Sequence, residues 1–320
     1  MYLLEVKDLT IAFYTMDGIA RATNNVSFSL SKKGKLGIVG ESGCGKSVTV
    51  SGIMRLLPQP PAKIQSGQVF FEGQNLLTLP ENKMASIRGR KVSMIFQNPM
   101  TSLNPVFTIG EQISHVIRLH QSLGKKDSWY KAIKLLREVG IPSPGKRVNE
   151  YPHQLSGGMR QRVMIAMAIS CRPQVIIADE PTTALDVTIQ AQIIDIIQDI
   201  IDRFDSSLIL ITHDLAVIAE TVDYVLVMYA GKVVETGSVI ELFDNPKHPY
   251  TKGLLGWITN IEVERGKLPT IAGVVPSIFN LPSGCSFSNR CSKRMSICDQ
   301  KEPPNIEIKP GVQCRCWLYS

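Results

Sequence analysis

No run of this 320-residue chain approaches the roughly 18–20 uninterrupted apolar residues that a membrane-crossing helix needs, so no spanning segment is predicted. There is no internal repeat and no low-complexity stretch, which argues against a repeat array. A long basic tract is also missing. The formal charge of +7 therefore reads as a mildly basic surface suited to an acidic partner such as nucleotide phosphates or an anionic membrane face, and no nucleic-acid partner is expected. The opening segment Met1-Tyr2-Leu3-Leu4-Glu5-Val6-Lys7 lacks the form of a signal peptide and reads as a strand with early charges, which sets the expectation of a cytoplasmic location. Cysteine is scarce until late: of 7, only Cys44 and Cys171 precede position 285.

What is present is an ordinary globular composition, 44% hydrophobic and 20% charged, with enough length for one large domain or two modest ones. Lys35–Val39, Val175–Ala178, Leu208–Ile211 and Tyr224–Met228 are strand-like apolar runs. Strands alternating with helices predict an α/β fold with a mostly parallel sheet. Segments around Leu3–Leu30 and Val69–Phe71 suggest a small antiparallel sheet. Strands stop between about Asn98 and Arg172, where Glu111–Leu123 and Ser128–Val139 carry helical periodicity, so a helical subdomain is expected over 98–172. The pattern changes near Asn245-Pro246. The expected division is therefore 1–245 and 246–320, the second part being small, irregular and rich in Pro, Gly and Cys.

Gly40-Glu41-Ser42-Gly43-Cys44-Gly45-Lys46-Ser47 satisfies G-x4-G-K-[ST] between a predicted strand and helix. Glycines let the backbone wrap closely around phosphate and aim its N–H groups inward. Lys46 is expected at the β/γ-phosphates and the Ser47 hydroxyl on Mg²⁺. Asp179-Glu180 ends another strand, where a carboxylate points into the ligand crevice of an α/β sheet. Asp179 is expected to hold Mg²⁺ and Glu180 to polarise the attacking water. His213 ends a third strand and suits the γ-phosphate, and Gln97 follows Val92–Phe96 as a carbonyl ligand to Mg²⁺ or the water. A second anion cradle lies far from the first: Ser156-Gly157-Gly158 opens a helix, whose N-terminus favours negative charge. One nucleotide does not need two cradles from one molecule, so the surplus suggests a nucleotide held between two chains.

With these elements in order, the chain resembles the ATPase subunits of ABC transporters. Gly40–Ser47 is similar to Walker A, Gln97 to the Q-loop, Leu155–Arg162 to the signature, Val175–Glu180 to Walker B, Ala184-Leu185-Asp186 to the D-loop and His213 to the switch histidine. Met159 departs from the usual signature glutamine and Thr183 from serine before the D-loop. The resemblance implies a P-loop, RecA-like core with an antiparallel β subdomain and a helical subdomain. It implies a head-to-tail dimer in which Ser156, Gly157 and Gly158 cap the nucleotide of the partner. An aromatic on the adenine is implied at Phe13 or Tyr14.

Pro246–Leu255 and Gly273-Val274-Val275-Pro276 resemble segments of dipeptide and oligopeptide importer ATPases, with importers of nickel or another small solute as the alternative. The implied partners are a second ATPase subunit, expected to be a different chain, two transmembrane permease subunits and an extracytoplasmic peptide-binding protein. The implied location is peripheral, on the cytoplasmic side of the cell membrane. The family also supplies cysteines matching Cys285, Cys291, Cys298 and one near the C-terminus, so a [4Fe–4S] cluster is expected there, with zinc as the alternative. Cys316, followed by Trp317-Leu318-Tyr319, is the expected fourth ligand and Cys314 the spare. Arg290, Lys293, Arg294 and Arg315 are expected to offset the cluster's charge.

Overall fold

The computed structural model describes residues 2–183, 185–259, 271 and 273–320. The chain forms two compact units: Met1–Thr78 with Thr212–Ser320, and Leu79–Ile211.

The first unit holds two β layers. β1 (Leu4–Thr15), β2 (Gly18–Leu30), β4 (Ala62–Phe71) and β5 (Gln74–Asn75) form an antiparallel sheet in the order β2-β1-β4-β5. In β1, Leu4, Val6, Leu9 and Ile11 are buried while Lys7 and Asp8 are exposed, the partial alternation of a sheet covered on one side. Ile11 meets the helix Lys46–Ile53 so closely that a Cβ at Gly52 would lie 2.3 Å from its Cδ1. The other strands are β3 (Lys35–Val39), β9 (Tyr224–Tyr229), β10 (Lys232–Ser238), β11 (Ile306–Lys309) and β12 (Val312–Cys314). β3 and β9 run parallel; β9, β10, β12 and β11 follow antiparallel. The segment past position 245 is thus not wholly irregular: its final hairpin extends a sheet, with Glu235 facing Cys314 in register.

The second unit contains β6 (Val92–Ile95), β7 (Val175–Asp179) and β8 (Ser207–Ile211), all parallel. Every residue of these strands is buried, which explains why they read as continuous apolar runs. The expected helices form with small shifts. Ile109–Gln121 starts earlier than the periodicity suggests because Thr108 and Glu111 build a reciprocal capping box. It packs with Lys125–Glu138 and Gly157–Ile169.

The expectation of a metal-binding extension is overturned. Among the described residues no group of three or more His, Cys, Asp or Glu side chains is placed to hold a metal ion. The cysteines are free thiols. Burial pushes the Cys285 thiol up to about 11 and raises Cys291, Cys314 and Cys316 as well. The three arginines expected to offset a cluster's charge pair with carboxylates: Arg290 with Glu41, Arg294 with Asp299 and Arg315 with Glu302.

Candidate functional site

In the first unit, β3 leads into Gly40–Ser47 and then into the helix Lys46–Ile53. Two glycines make this turn possible. Gly40 has φ +150° and Gly45 φ +102°, values an L side chain rarely takes, and a Cβ would lie 2.2 Å from the Met228 carbonyl oxygen at Gly40 and 2.4 Å from that of Ala22 at Gly45. The Lys46 ammonium is folded into the loop, donating to the carbonyl oxygens of Gly40 at 2.8 Å and Glu41 at 3.1 Å. Cys44 is buried beside it, and burial raises its thiol. His213 belongs to the same unit and lines, with Gly40, Glu41, Ser42, Asp214 and Leu254, a cavity of about 490 Å³. The structure therefore places the predicted histidine beside the predicted phosphate loop.

Sequence reasoning missed what holds this loop from outside. Arg290 donates to Glu41 through both terminal nitrogens, at 2.6 and 2.9 Å. The hydrogen bond to Glu41 holds the guanidinium above its ordinary value. The Glu41 backbone N–H donates to the Tyr250 hydroxyl at 2.8 Å. Partners 249 and 209 positions away leave no local signal.

In the second unit, Asp179 ends β7 nearly buried and Glu180 follows with φ +45°. A left-handed glutamate is an uncommon conformation that concentrates at functional sites. It is held by several bonds. The Glu180 N–H donates to the Ile211 carbonyl at 2.9 Å, while its Oε2 accepts from the Gln97 amide at 2.8 Å and the Thr183 hydroxyl at 3.0 Å. Gln97 and Glu180, 83 positions apart, are thus brought together, and Thr183 is an additional member. It is the residue that departs from the usual serine, and its hydroxyl performs a hydrogen-bonding task that a serine hydroxyl also can.

The signature segment lies in the same unit. Ser156 caps the helix Gly157–Ile169, its Oγ accepting from the Met159 N–H at 3.3 Å. Gly158 faces Ile189, where a Cβ would stand 2.9 Å from Cγ2. Asp186 caps the helix Val187–Phe204 by accepting from the Ile189 N–H at 3.0 Å. Ser156, Gly157, Gly158, Leu185 and Asp186 line one cavity of about 380 Å³, so the signature and D-loop residues adjoin. Ala184 lies outside the described residues. Of the two adenine candidates, Phe13 is half-buried, while Tyr14 is exposed with its hydroxyl accepting from Gln65. The iron–sulfur and zinc expectations for Cys285, Cys291, Cys298 and Cys316 are not met, on the finding for the described residues given above.

Comparison with known proteins identifies the family. The ABC transporter family model matches residues 23–183, and that of the oligopeptide/dipeptide transporter C-terminal region matches 234–298. The chain is 50% identical over 316 residues to the probable peptide ABC transporter ATP-binding protein y4tR of Sinorhizobium fredii, covering 98% of this chain and 94% of that protein. It is 49% identical over 317 residues to the oligopeptide transport ATP-binding protein OppD of Bacillus subtilis, covering 99% and 88%. Among solved structures it resembles a dimeric post-hydrolysis state of the ATP-binding cassette MJ0796 bound to ADP and Pi, with TM-score 0.67 and 25% identity over 74% of this chain and 98% of that one.

Proposed function

The chain belongs to the ATP-binding subunits of peptide ABC importers, and on that premise we propose a role for each part of the two half-sites as it binds and hydrolyses ATP to energise peptide uptake. Gly40–Ser47 cradles the polyphosphate, and Lys46 exchanges its loop carbonyls for phosphate oxygens. A bound Mg²⁺ would supply charge neutralisation at the polyphosphate. The Ser47 hydroxyl, the Asp179 carboxylate and the Gln97 carbonyl are the hard oxygen donors it prefers. Glu180 accepts a proton from the attacking water as oxygen bonds to the γ-phosphorus and the bond to the bridging oxygen of ADP breaks. Gln97 and Thr183 keep the Glu180 carboxylate in one orientation. His213 contacts the γ-phosphate and the water. Phe13 or Tyr14 stacks on adenine. Ser156, Gly157 and Gly158, with Asp186 beside them, serve the nucleotide of a second ATPase subunit of different sequence.

Permease subunits dock the pair at the cytoplasmic face of the membrane, an extracytoplasmic protein delivers the peptide, and ATP drives the cycle by binding the closed pair better than the open one. Residues 1–245, with the helical part at 98–172, form the ATPase, and 246–320 the extension. The observation that carries the reading is the phosphate loop itself, glycine-built, lysine-filled and sharing a cavity with His213. The test is ATP-dependent uptake of labelled di- and oligopeptides by the reconstituted transporter. Uptake abolished by Lys46→Ala is expected; uptake of nickel in place of peptides would redirect the solute, and uptake insensitive to Lys46→Ala would refute the role of the loop.

A further inference from the structure

The loop that must accept a polyanion carries one acidic side chain, Glu41. It lines the same cavity as Gly40, Ser42 and His213, so an uncompensated carboxylate there would repel an incoming triphosphate. The carboxylate is compensated from far along the chain. Arg290 meets it in a two-pronged pair at 2.6 and 2.9 Å, with the arginine side chain only 5% exposed. Bidentate pairs of this kind fix orientation as well as charge. The guanidinium is itself held: it donates to the Ile271 carbonyl at 3.3 Å and lies 5.8 and 6.0 Å from the ring centres of Tyr229 and Phe287. Phe287 packs edge-on against Tyr229 and Tyr250, so the arginine rests on a buried aromatic cluster.

A second restraint acts on the backbone. The Gly40–Glu41 peptide unit is gripped on both sides. Its carbonyl accepts from Lys46 at 2.8 Å, and its N–H donates to the Tyr250 hydroxyl at 2.8 Å. The lysine must turn to phosphate when nucleotide binds, whereas the Tyr250 hydroxyl accepts from the Glu41 N–H and is not called to the phosphate. The bond from Tyr250 is then what keeps this peptide unit oriented.

Resting on the phosphate-loop reading above, we propose that the C-terminal extension is a positioning element for nucleotide binding, in which Arg290 neutralises and orients Glu41 while Tyr250 fixes the Glu41 peptide unit. Neither residue touches the reacting atoms; both act through the loop.

The experiment measures KM for ATP and kcat in the assembled transporter. Arg290→Met is expected to raise KM about tenfold with kcat within about twofold, since it leaves a partly buried charge unpaired. Arg290→Met/Glu41→Gln is expected to recover most of that loss, because the stranded charge is gone. Tyr250→Phe is expected to raise KM about threefold, by loss of one hydrogen bond. Arg294→Ala, which breaks a half-exposed pair elsewhere in the extension, is expected to leave KM unchanged. A merely structural arginine predicts a double variant as impaired as the single one, and that result would overturn the proposal. So would unchanged KM in Tyr250→Phe, which remains decisive if Arg290→Met fails to fold. Wild-type protein without ATP turnover would sink the phosphate-loop reading together with this inference; active wild type with unmoved KM in both variants would sink this inference alone.

Discussion

The two anion cradles of this chain use the same residue types for different physical reasons. In Gly40–Ser47 the glycines are conformational: Gly40 and Gly45 take backbone angles that other residues rarely adopt and press against the Met228 and Ala22 carbonyls. In Ser156–Gly158 the helix start is ordinary, with Ser156 as cap, and Gly158 is needed for space, because Ile189 stands where a side chain would go. The first cradle carries its own cation in Lys46 and shares a cavity with a histidine. The second offers backbone N–H groups beside Asp186. A loop built by conformation and filled by a lysine suits a phosphate that it holds by itself. A capped helix start beside a D-loop carboxylate suits a nucleotide whose charge is neutralised by another chain.

The largest expected effect separates chemistry from both cradles. Glu180→Gln should lower kcat by about 10²–10⁴-fold, the usual loss on removing a general base, while ATP affinity stays near wild type. Near-wild-type turnover would remove Glu180 from the mechanism. Next is Gly45→Ala. A left-handed backbone costs a non-glycine residue about 1–2 kcal/mol, and the clash with Ala22 adds to it, so nucleotide affinity of the single chain should fall at least about tenfold. Gly158→Ala should be milder and different in kind: ATP binding by the single chain stays intact, while turnover in the assembled transporter falls several-fold as Ile189 is displaced. Ser156→Ala should be smallest, with a helix-cap loss of about 1 kcal/mol in stability seen by thermal or denaturant unfolding.

Acid should also distinguish the regions. Burial holds His248 down at about 3, and its Nδ1 accepts from the Tyr250 N–H, the residue that supports Glu41. An unfolded histidine takes a proton near pH 6.5, so below that pH the unfolded state binds more protons and the first unit loses stability as pH falls toward about 3. Glu235, whose carboxyl accepts the His248 N–H and is raised by burial, takes up its proton early and offsets part of this loss. Denaturant unfolding followed from pH 7 to pH 4 should show a decline that a His248→Asn variant lessens.

What was legible in the sequence follows from how local each feature is. Gly40–Ser47 is contiguous, and its glycines are required by the turn they make, so the pattern could be read without a structure. The buried parallel strands were legible for a similar reason, since burial on both faces erases alternation and leaves apolar runs. The conjunction of Gln97, Glu180 and Thr183 was half visible: Thr183 bonds Glu180 across a local turn, but the hydrogen bond that joins Gln97 to Glu180 crosses 83 positions. The Glu41–Arg290 pair was invisible, because nothing in either neighbourhood names the other. The cysteines misled. Their match to the family's cysteines suggested thiolate ligands, but among the described residues no grouping is placed for a metal. Residue type alone does not distinguish a ligand from a small buried side chain.

The most direct test is an ATP-binding titration of the full chain, by itself, in three forms. Wild type and Gly158→Ala should bind with equal affinity, and Gly45→Ala should bind at least about tenfold more weakly. Equal weakening by both substitutions, or by neither, would contradict the claim that this chain binds ATP with one cradle and lends the other to its partner.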